Sequence, residues 1–398
     1  MNFQLLSEFE EVEEPVSIVV VGAGGGGSNA VNGMIESGIR GVKFIAVNTD
    51  IQSLRNSKAG IKLQIGSQLT GGRGAGGVPE IGEQAALENR EEIAKALEGA
   101  NMVFITVGMG GGTGTGSAPV IASIAKSQGA LTVAVVTKPF DYEKRYRMAV
   151  AEEGIAKLRE SVDTLIVIPN QRLLDNVERK TSIPEAYRRV NDILRQGVQG
   201  ISDSIMENGL INIDFADALA VMKEQGDALM AIGYGSGDNR VEEAVSGVLD
   251  NPLLEDVSIK GATRALIYVG GSEDLPLVEY EDIVKRITAD MDKDANIIAG
   301  MHLDSSMGES IRVTVIATGF SADKGIRNAE SRSAVNNEVI STKEFNTIIG
   351  NGVNIDIIPP RGKRDEFRYE NEDLDVPTVI RDRRFFNIPG DPVSRVQF

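Results

Sequence analysis

Short apolar runs rich in β-branched residues alternate with helix-like segments from Ser17 to Ile168. The runs lack strict apolar and polar alternation, which is typical of strands buried on both faces of a mainly parallel sheet. This pattern predicts a doubly wound α/β domain, whose ligands bind at the carboxyl ends of the strands. The predicted strands are Ile18–Val21, Phe44–Val47, Lys62–Ile65, Met102–Val107, Leu131–Thr137 and Leu165–Ile168.

A long amphipathic helix is predicted next. Ser182 stands at its N-cap and Glu185, three residues on, completes the pattern of a capping box. Apolar residues then recur with helical period for about six turns, which predicts a helix over Ile183–Met206, about 36 Å long. Segments at its two ends are therefore expected to lie far apart.

A smaller α+β domain is predicted after this helix. Its helices are expected at Ala216–Glu224, Arg240–Leu249 and Tyr280–Met291, and its strands at Ala265–Val269, Ile297–Met301 and Arg312–Ala317. The predicted organisation is an acidic tail (1–15), an α/β domain (16–180), a central helix (181–207), an α+β domain (208–320), a polar linker (321–371) and a partner-binding tail (372–398).

Composition and charge exclude several kinds of site. The 398 residues include no Cys and one His, which excludes thiolate and multi-histidine metal sites and a cysteine nucleophile. The net charge of −17 opposes binding to nucleic acid and anionic lipid. No apolar run approaches the roughly 18 residues of a membrane span, and the acidic N-terminus is unlike a signal peptide. We therefore expect a cytoplasmic protein that does not insert into the membrane.

Three glycine-rich segments stand between predicted strands and helices: Gly22–Asn29, which satisfies GxGxxG, Thr70–Gly77 and Gly108–Ser117. Backbone N–H groups in such turns, with the N-terminus of the next helix, can bind phosphate. Hydroxyl groups in the last segment could add donors or Mg²⁺ ligands. A side chain at Gly112 is expected to fill space shared with phosphate. A tight turn would also explain the first segment, and a flexible hinge the last.

Two carboxylates and an amide come after the long helix. Asp214 and Asp217 stand at the N-cap and in the first turn of the next predicted helix, where they would cap it. Alternatively, Asp214 and Asp217 polarise a water molecule or position a cation, and Asn212 orients the water. Both interpretations remain open.

With these motifs, the chain resembles the FtsZ family of tubulin-like GTPases of bacterial cell division, collinearly from about Val16 to Phe320. Gly110–Gly116 is similar to the family's signature loop, and Asn212–Asp217 to its catalytic loop. The resemblance implies a tubulin-like GTPase fold with GTP as substrate and Mg²⁺ as cofactor. It also implies that residues 16–180 bind GTP and that 208–320 carry the catalytic loop.

The resemblance further implies roles for individual residues. Catalysis falls to Asn212, Asp214 and Asp217, with no side chain assigned as a metal ligand. Without the resemblance, Glu143 and Arg147 would be a surface ion pair and Tyr187 a half-buried helix aromatic. The residues implied to bind GTP are, for the phosphates and the strand ends beside them, Gly25, Gly26, Gly27, Ser28, Asn29, Asn48, Ala75, Gly76, Gly111, Gly112, Thr113, Gly114 and Thr115, and for the nucleoside Glu143, Arg147, Asn170, Tyr187 and Asn191.

The long helix predicts catalysis shared between subunits. If Asn191 contacts the base and Asp214 assists hydrolysis, roughly 30 Å of helix separates them, so they cannot serve one nucleotide within one subunit. A head-to-tail contact would bring them together, and such contacts generate filaments when they do not close. With the resemblance, this predicts a homopolymer at the mid-cell division site whose GTP hydrolysis depends on polymerisation.

The segment Leu374–Arg381 resembles the family's C-terminal peptide, which implies membrane-tethering and regulatory division proteins as partners. Val379 stands where an aromatic residue is common, and the chain continues to Phe398.

Two other function classes stay open. GxGxxG alone would suit an NAD-dependent oxidoreductase, but the other two glycine segments count against it. A nucleotide-gated scaffold could instead recruit partners without hydrolysis.

Overall fold

The computed structural model describes residues 16–175, 181–206, 210–251 and 259–320, all within one compact unit. The predicted acidic tail, linker and partner-binding tail lie outside the described residues. The boundaries between the predicted domains stay predictions.

One sheet runs through the described residues. Its strands are β1 (Ile18–Ala23), β2 (Val42–Asn48), β3 (Ile61–Gln64), β4 (Met102–Gly108), β5 (Leu131–Lys138), β6 (Thr164–Pro169), β7 (Gly226–Ser236), β8 (Arg264–Gly271), β9 (Asn296–Leu303) and β10 (Ser310–Thr318). Their order is β3-β2-β1-β4-β5-β6-β7-β10-β8-β9. All neighbours from β3 to β7 are parallel, whereas β10 is antiparallel to both β7 and β8. The predicted α/β fold is confirmed.

Helices cover both faces of the sheet. They are α1 (Gly24–Glu36), α2 (Ile51–Asn56), α3 (Ser67–Thr70), α4 (Pro79–Glu88), α5 (Arg90–Leu97), α6 (Thr113–Ser127), α7 (Lys144–Ser161), α8 (Asn170–Asp175), α9 (Ile183–Met206), α10 (Phe215–Met222), α11 (Arg240–Leu249) and α12 (Leu277–Thr288). In β1, Val19 and Val21 pack in a core with α6 and α7, while Ile18 and Val20 pack in a core with α1 and α9. Burial on both faces explains the continuous apolar runs.

The long predicted helix is present as α9. The Glu185 backbone N–H donates to the Ser182 hydroxyl at 3.3 Å, which confirms the N-cap. Leu194, Val198 and Ile201 pack on the sheet. No described helix is long and apolar enough to cross a membrane.

The helix α9 runs along the strand direction, from the carboxyl ends of the parallel strands to their amino ends. Asn191, near its start, lines a cleft with Asn29, which lies after β1 at the carboxyl edge of the parallel strands. At its other end, Met206 lies beside Gly41, which precedes β2 at the amino edge: a Cβ added to Gly41 would lie 2.8 Å from Met206 Cε. The two ends of α9 therefore lie at opposite ends of the parallel strands.

Several elements differ from the sequence prediction, among them α10, which ends at Met222 rather than Glu224, and α12, which ends at Thr288 rather than Met291. The strand β7 was not predicted, although it joins the parallel and antiparallel parts of the sheet. The helix α12 begins at Leu277 rather than Tyr280, directly after Pro276. Pro276 is the N-cap residue, and proline is tolerated at the start of a helix because its missing N–H would have no intrahelical partner there.

Candidate functional site

The glycine-rich segments Gly22–Asn29 and Gly108–Ser117 lie at the ends of neighbouring strands. Because β1 and β4 are parallel, with Ala23 opposite Val107, the segments after them leave the same edge of the sheet. The two backbones then touch: a Cβ on Gly24 would lie 2.8 Å from the Gly114 nitrogen. Gly24 also has a φ of +69°, where a side chain is strained. Glycine at this position is required by the fold, independently of any ligand.

Two helix N-termini meet at this edge. The helices α1 and α6 begin in the touching segments, and neither has a side-chain hydrogen bond at its N-cap. Space remains open beside them, because a Cβ on Gly25 or Gly111 would meet no atom within 4 Å. Uncapped N–H groups and two helix dipoles attract an anion. The geometry fits phosphate groups.

The segment Thr70–Gly77 closes one side of this space. A Cβ on Gly112 would lie 2.7 Å from the Val78 nitrogen and 3.0 Å from Ala75 Cβ. Protein atoms therefore occupy space beside Gly112, and the expectation that phosphate shares that space stays a prediction. Gly76 is exposed beside buried Ala75.

The segment after β2 joins the same edge. Asp50 caps α2, accepting from the Gln52 N–H at 2.9 Å and the Ser53 hydroxyl at 2.8 Å, and the bonds from Ser53 and Gln52 lower its pKa. Asp50 also forms a single β-bridge with Arg73. The Asn48 side-chain oxygen accepts from the Asp50 N–H at 3.1 Å. Asn48 and the segment Thr70–Gly77 are thereby fixed to each other.

Hydroxyl groups in the segment Gly108–Ser117 have different surroundings. The Thr113 hydroxyl lies 2.6 Å from that of Thr49 and is partly exposed. The Thr115 hydroxyl accepts from the Gly110 N–H at 3.0 Å and is buried, so it shapes the loop. Ser117 is fully buried. Of these three predicted hydroxyls, that of Thr113 has the best access to a ligand.

The residues after β5 form a second wall. Glu143 accepts from the Phe140 N–H at 3.0 Å through one oxygen, and its other oxygen lies 3.1 Å from Arg147 Nε. The expected ion pair is present. The segment Gly108–Ser117 lies against it, because a Cβ on Gly110 would come 2.6 Å from the Arg147 carbonyl oxygen.

Residues predicted for the base lie beyond this wall. Tyr187 makes an edge-to-face contact with Phe140 and is 39% exposed. Burial, and then a hydrogen bond with Tyr142, raise the pKa of Tyr187. Asn191 and Asn29 line a cleft of about 650 Å³ between α1 and α9. Asn170 comes directly after β6, is 5% exposed, and its side-chain oxygen has no hydrogen-bond partner.

The structure thus brings the predicted GTP-binding residues to the carboxyl ends of the parallel strands, in the segments after β1, β2, β3, β4, β5 and β6 and on the first half of α9. Buried Ser28 has a hydroxyl without a partner at this edge. A buried polar atom without a partner is rare and points to a group that the protein alone does not supply. The binding of GTP by the residues at this end of the strands stays a prediction.

The predicted catalytic residues lie elsewhere. Asp214 Oδ1 accepts from the Asp217 N–H at 2.7 Å, and Asp217 Oδ2 accepts from the Asp214 N–H at 3.2 Å. This capping box confirms the structural interpretation of both acids. Ile211 holds the loop by two hydrogen bonds to Met301, while Asn212 and Asp214 are exposed.

The acidic loop and the glycine segments are at opposite ends of the parallel strands. Gln225, just after α10, donates its N–H to the carbonyl of Asp163, which precedes β6 at the amino edge. The parallel strands between the two edges have six to eight residues in β1, β4, β5 and β6, which corresponds to roughly 20–25 Å. The structure does not bring Asp214 to the strand ends at which the glycine segments of its own chain lie.

Metal-binding clusters are also missing from the described ranges, where no three His, Asp or Glu side chains gather as ligands. Sequence reasoning missed Phe140, Tyr142 and Thr49 as residues of the site. Their position directly after predicted strands was the available signal.

An α/β protein with paired, uncapped helix N-termini at a shared sheet edge belongs to the class that binds phosphorylated ligands. Family comparison is more specific: residues 17–178 match the Tubulin/FtsZ family GTPase domain, and residues 226–321 match the FtsZ family C-terminal domain. The chain belongs to the Tubulin/FtsZ family of GTPases and is FtsZ-like.

Solved structures agree with this assignment. The chain is 47% identical to FtsZ from M. jannaschii in an empty dimer, with a TM-score of 0.73 over 78% of this chain and 90% of that one. A mutant FtsZ from M. jannaschii matches at 46% identity and a TM-score of 0.73, over 77% and 92% of the two chains. A GTPγS-bound protofilament of CetZ2 from Haloferax volcanii is 19% identical, with a TM-score of 0.65 over 80% and 98%, and shares the fold.

Proposed function

We propose that this chain is a filament-forming GTPase that hydrolyses GTP between subunits. The nucleotide binds at the carboxyl edge of the parallel strands, and the acidic loop around Asp214 and Asp217 acts on the nucleotide of the next subunit. One observation carries the proposal: the glycine segments and the acidic loop lie at opposite ends of the parallel strands, with α9 running between them.

The nucleotide site fits the parts of GTP. The first turns of α1 and α6 receive the phosphates, and Thr113 is the hydroxyl placed to help hold Mg²⁺. Magnesium keeps several waters and binds substrate phosphates, so few protein ligands are needed. The unpartnered Asn170 oxygen can accept a hydrogen bond from the base, while Glu143 contacts the ribose.

The acidic loop suits an oriented water. The capping box uses one oxygen of Asp214 and one of Asp217, which leaves a second oxygen on each carboxylate. Phosphoryl transfer depends mainly on positioning and charge stabilisation, so these oxygens need only polarise a water or position a cation. Asn212 orients the same water.

Exposed apolar residues near the acidic loop support a subunit contact there. Leu210 is 70% exposed and precedes the bridge to β9, while Leu277 and Val278 are 72% and 74% exposed after β8. The relevant ends of β8 and β9 are adjacent, with Gly271 opposite Leu303. The dimer and protofilament forms of the FtsZ and CetZ2 relatives support self-association.

The cellular role is inferred from the family resemblance. We place the filament in the cytoplasm at the mid-cell division site, with residues 372–398 binding membrane-tethering and regulatory division proteins.

A second candidate is a nucleotide-gated scaffold that does not hydrolyse GTP. The capping box favours it, because structural caps account for both acids without any catalytic role.

Phosphate release and light scattering, recorded together across protein concentrations after GTP and Mg²⁺ are added, separate the candidates. We expect turnover per subunit to rise steeply once scattering appears, and scattering to decay as GTP is consumed. Stable scattering without phosphate release would favour the scaffold. Turnover per subunit that is independent of concentration would contradict hydrolysis between subunits.

A matched pair of variants tests the contact. Leu277→Glu should raise the concentration needed for assembly, since it puts a charge in the proposed interface. Leu87→Glu, on α4 and 49% exposed, is the control and should assemble normally. Equal effects of the two substitutions would remove Leu277 from the interface.

A further inference from the structure

Three aromatic side chains connect the segment after β5 to the first turns of α9. Phe140 is buried, stacks on Tyr142 at 5.3 Å between ring centres and 14° between planes, and meets Tyr187 edge to face at 5.4 Å and 87°. The hydroxyl oxygens of Tyr142 and Tyr187 lie 2.8 Å apart. We call Phe140, Tyr142 and Tyr187 the aromatic clasp.

The hydroxyl pair is separable from the ring contacts. Both rings pack on Phe140, so phenylalanine in place of either tyrosine keeps the aromatic contacts and removes only the hydrogen bond. Burial and this bond raise the pKa of Tyr187, so its hydroxyl keeps its proton at neutral pH. The bond therefore adds one orientation constraint on rings that are otherwise half exposed.

The clasp stands between two predicted nucleoside contacts. Tyr142 directly precedes Glu143, whose carboxylate is fixed by Phe140 and Arg147. Tyr187 is one helical turn before Asn191 on the same face of α9. Lys144, next to Glu143, has a φ of +76°, a strained conformation for a side-chain-bearing residue that its surroundings must maintain. The clasp thus connects the segment of the ribose contact to the helix of the base contact.

We propose that the Tyr142–Tyr187 hydroxyl pair sets nucleobase specificity by fixing the ring of Tyr187 beside the base. The inference rests on the proposed GTP site. Tyr142 is a positioning residue that acts through Tyr187. A fixed ring holds a stacked base in one register relative to Asn170 and Asn191, so a base with mismatched donors is rejected. Without the bond the axis of the ring is free to tilt, which weakens the register that the guanine base uses and lowers discrimination.

The test measures the dissociation constants of GTP and ATP by equilibrium dialysis, below the concentration at which assembly begins. Tyr142→Phe should weaken GTP binding about two- to fivefold, the range of one modest hydrogen bond, and leave ATP binding unchanged. Selectivity for GTP over ATP falls by the same factor. Tyr187→Phe should do the same, and the double variant no more than either single, because all three lose the same bond.

Tyr146→Phe is the matched control. Tyr146 lies in the first turn of α7 and is 76% exposed. It should bind GTP and ATP as the wild type does. Thermal unfolding of each nucleotide-free variant reports any general loss of stability.

Two results would overturn the inference: unchanged selectivity in Tyr142→Phe, whether both nucleotides keep their affinity or lose it equally, or additive effects in the double variant. Equal losses would show a purely structural role for the bond. A wild type that does not bind GTP would overturn the proposed function itself. Wild-type binding with unchanged variants would overturn the tyrosine inference alone.

Discussion

Gly24 and Gly25 are consecutive residues for which the structure predicts opposite effects of the same substitution. A methyl group on Gly25 enters open space beside the α1 N-terminus, where nothing lies within 4 Å. A methyl on Gly24 faces the Gly114 backbone, at a residue with a φ of +69°. If phosphate occupies the open space, Gly25→Ala should harm binding and Gly24→Ala should harm folding.

The magnitudes come from these surroundings. Gly24→Ala should cost about 1–2 kcal/mol of unfolding free energy for the left-handed backbone alone, with the contact to Gly114 adding to it. Gly25→Ala should leave the unfolding free energy unchanged or raise it by up to about 1 kcal/mol, because alanine favours the helix. Crowding a well-packed site costs about 1–3 kcal/mol, so GTP binding should weaken about fivefold or more.

Urea unfolding of nucleotide-free protein and equilibrium dialysis with GTP measure the two effects separately. Gly111→Ala, also in open space, should behave as Gly25→Ala does. Gly25→Ala that binds GTP with wild-type affinity would refute the assignment of this space to phosphate. Loss of stability in Gly25→Ala would refute the local geometry.

Further predictions concern the same edge and the tail. Asp50→Ala should lower the unfolding free energy by about 1 kcal/mol at pH 7, by removing the cap of α2. Because bonds from Ser53 and Gln52 lower the Asp50 pKa, this stabilisation is complete above the ordinary carboxyl pKa and is lost as pH falls through the lowered one, so urea unfolding should show the two proteins converging in acid. Gly112→Val should lower the free energy of unfolding by about 1–3 kcal/mol, which thermal unfolding measures. A variant as stable as the wild type would contradict the close contact between Gly112 and Val78. Deleting 372–398 should preserve GTP-dependent sedimentation and abolish capture by a membrane-bound adaptor, whereas loss of sedimentation would show that the tail serves assembly.

Much of the fold was predictable because hydrophobic periodicity was strong. The α9 and α11 bounds agree with the sequence prediction, since amphipathic spacing is clear there. The strand β7 escaped because glycine is unfavourable in strands. Its Gly233 and Gly235 lie against the α11 backbone at Ala244 and Arg240, where no Cβ fits. Close packing against this helix explains why glycines stand in the strand β7, and the local sequence pattern of β7 does not reveal that packing.

The site was predictable in its phosphate part. Glycine segments directly after strands indicate one sheet edge, and parallel pairing of β1 with β4 makes them meet. The resemblance supplied the individual roles of Glu143 and Asn191. The pairing of Tyr142 with Tyr187 was not predictable, because it depends on how two segments 45 residues apart are oriented in space.

Hydrolysis between subunits is tested most directly by loading Asp214→Ala with GTP labelled on its γ-phosphate and assembling it with an equal amount of wild-type protein in a large excess of unlabelled GTP, with sedimentation confirming that both proteins enter the filaments. Each variant subunit presents an inactive loop to a neighbour's nucleotide. The variant keeps its own nucleotide site, so in mixed head-to-tail filaments about half of the labelled nucleotides would face a wild-type loop and should be hydrolysed, whereas the variant alone should release little labelled phosphate. Labelled phosphate release that stays at the level of the variant alone after wild-type protein is incorporated would contradict the shared site and return Asp214 to the role of a helix cap.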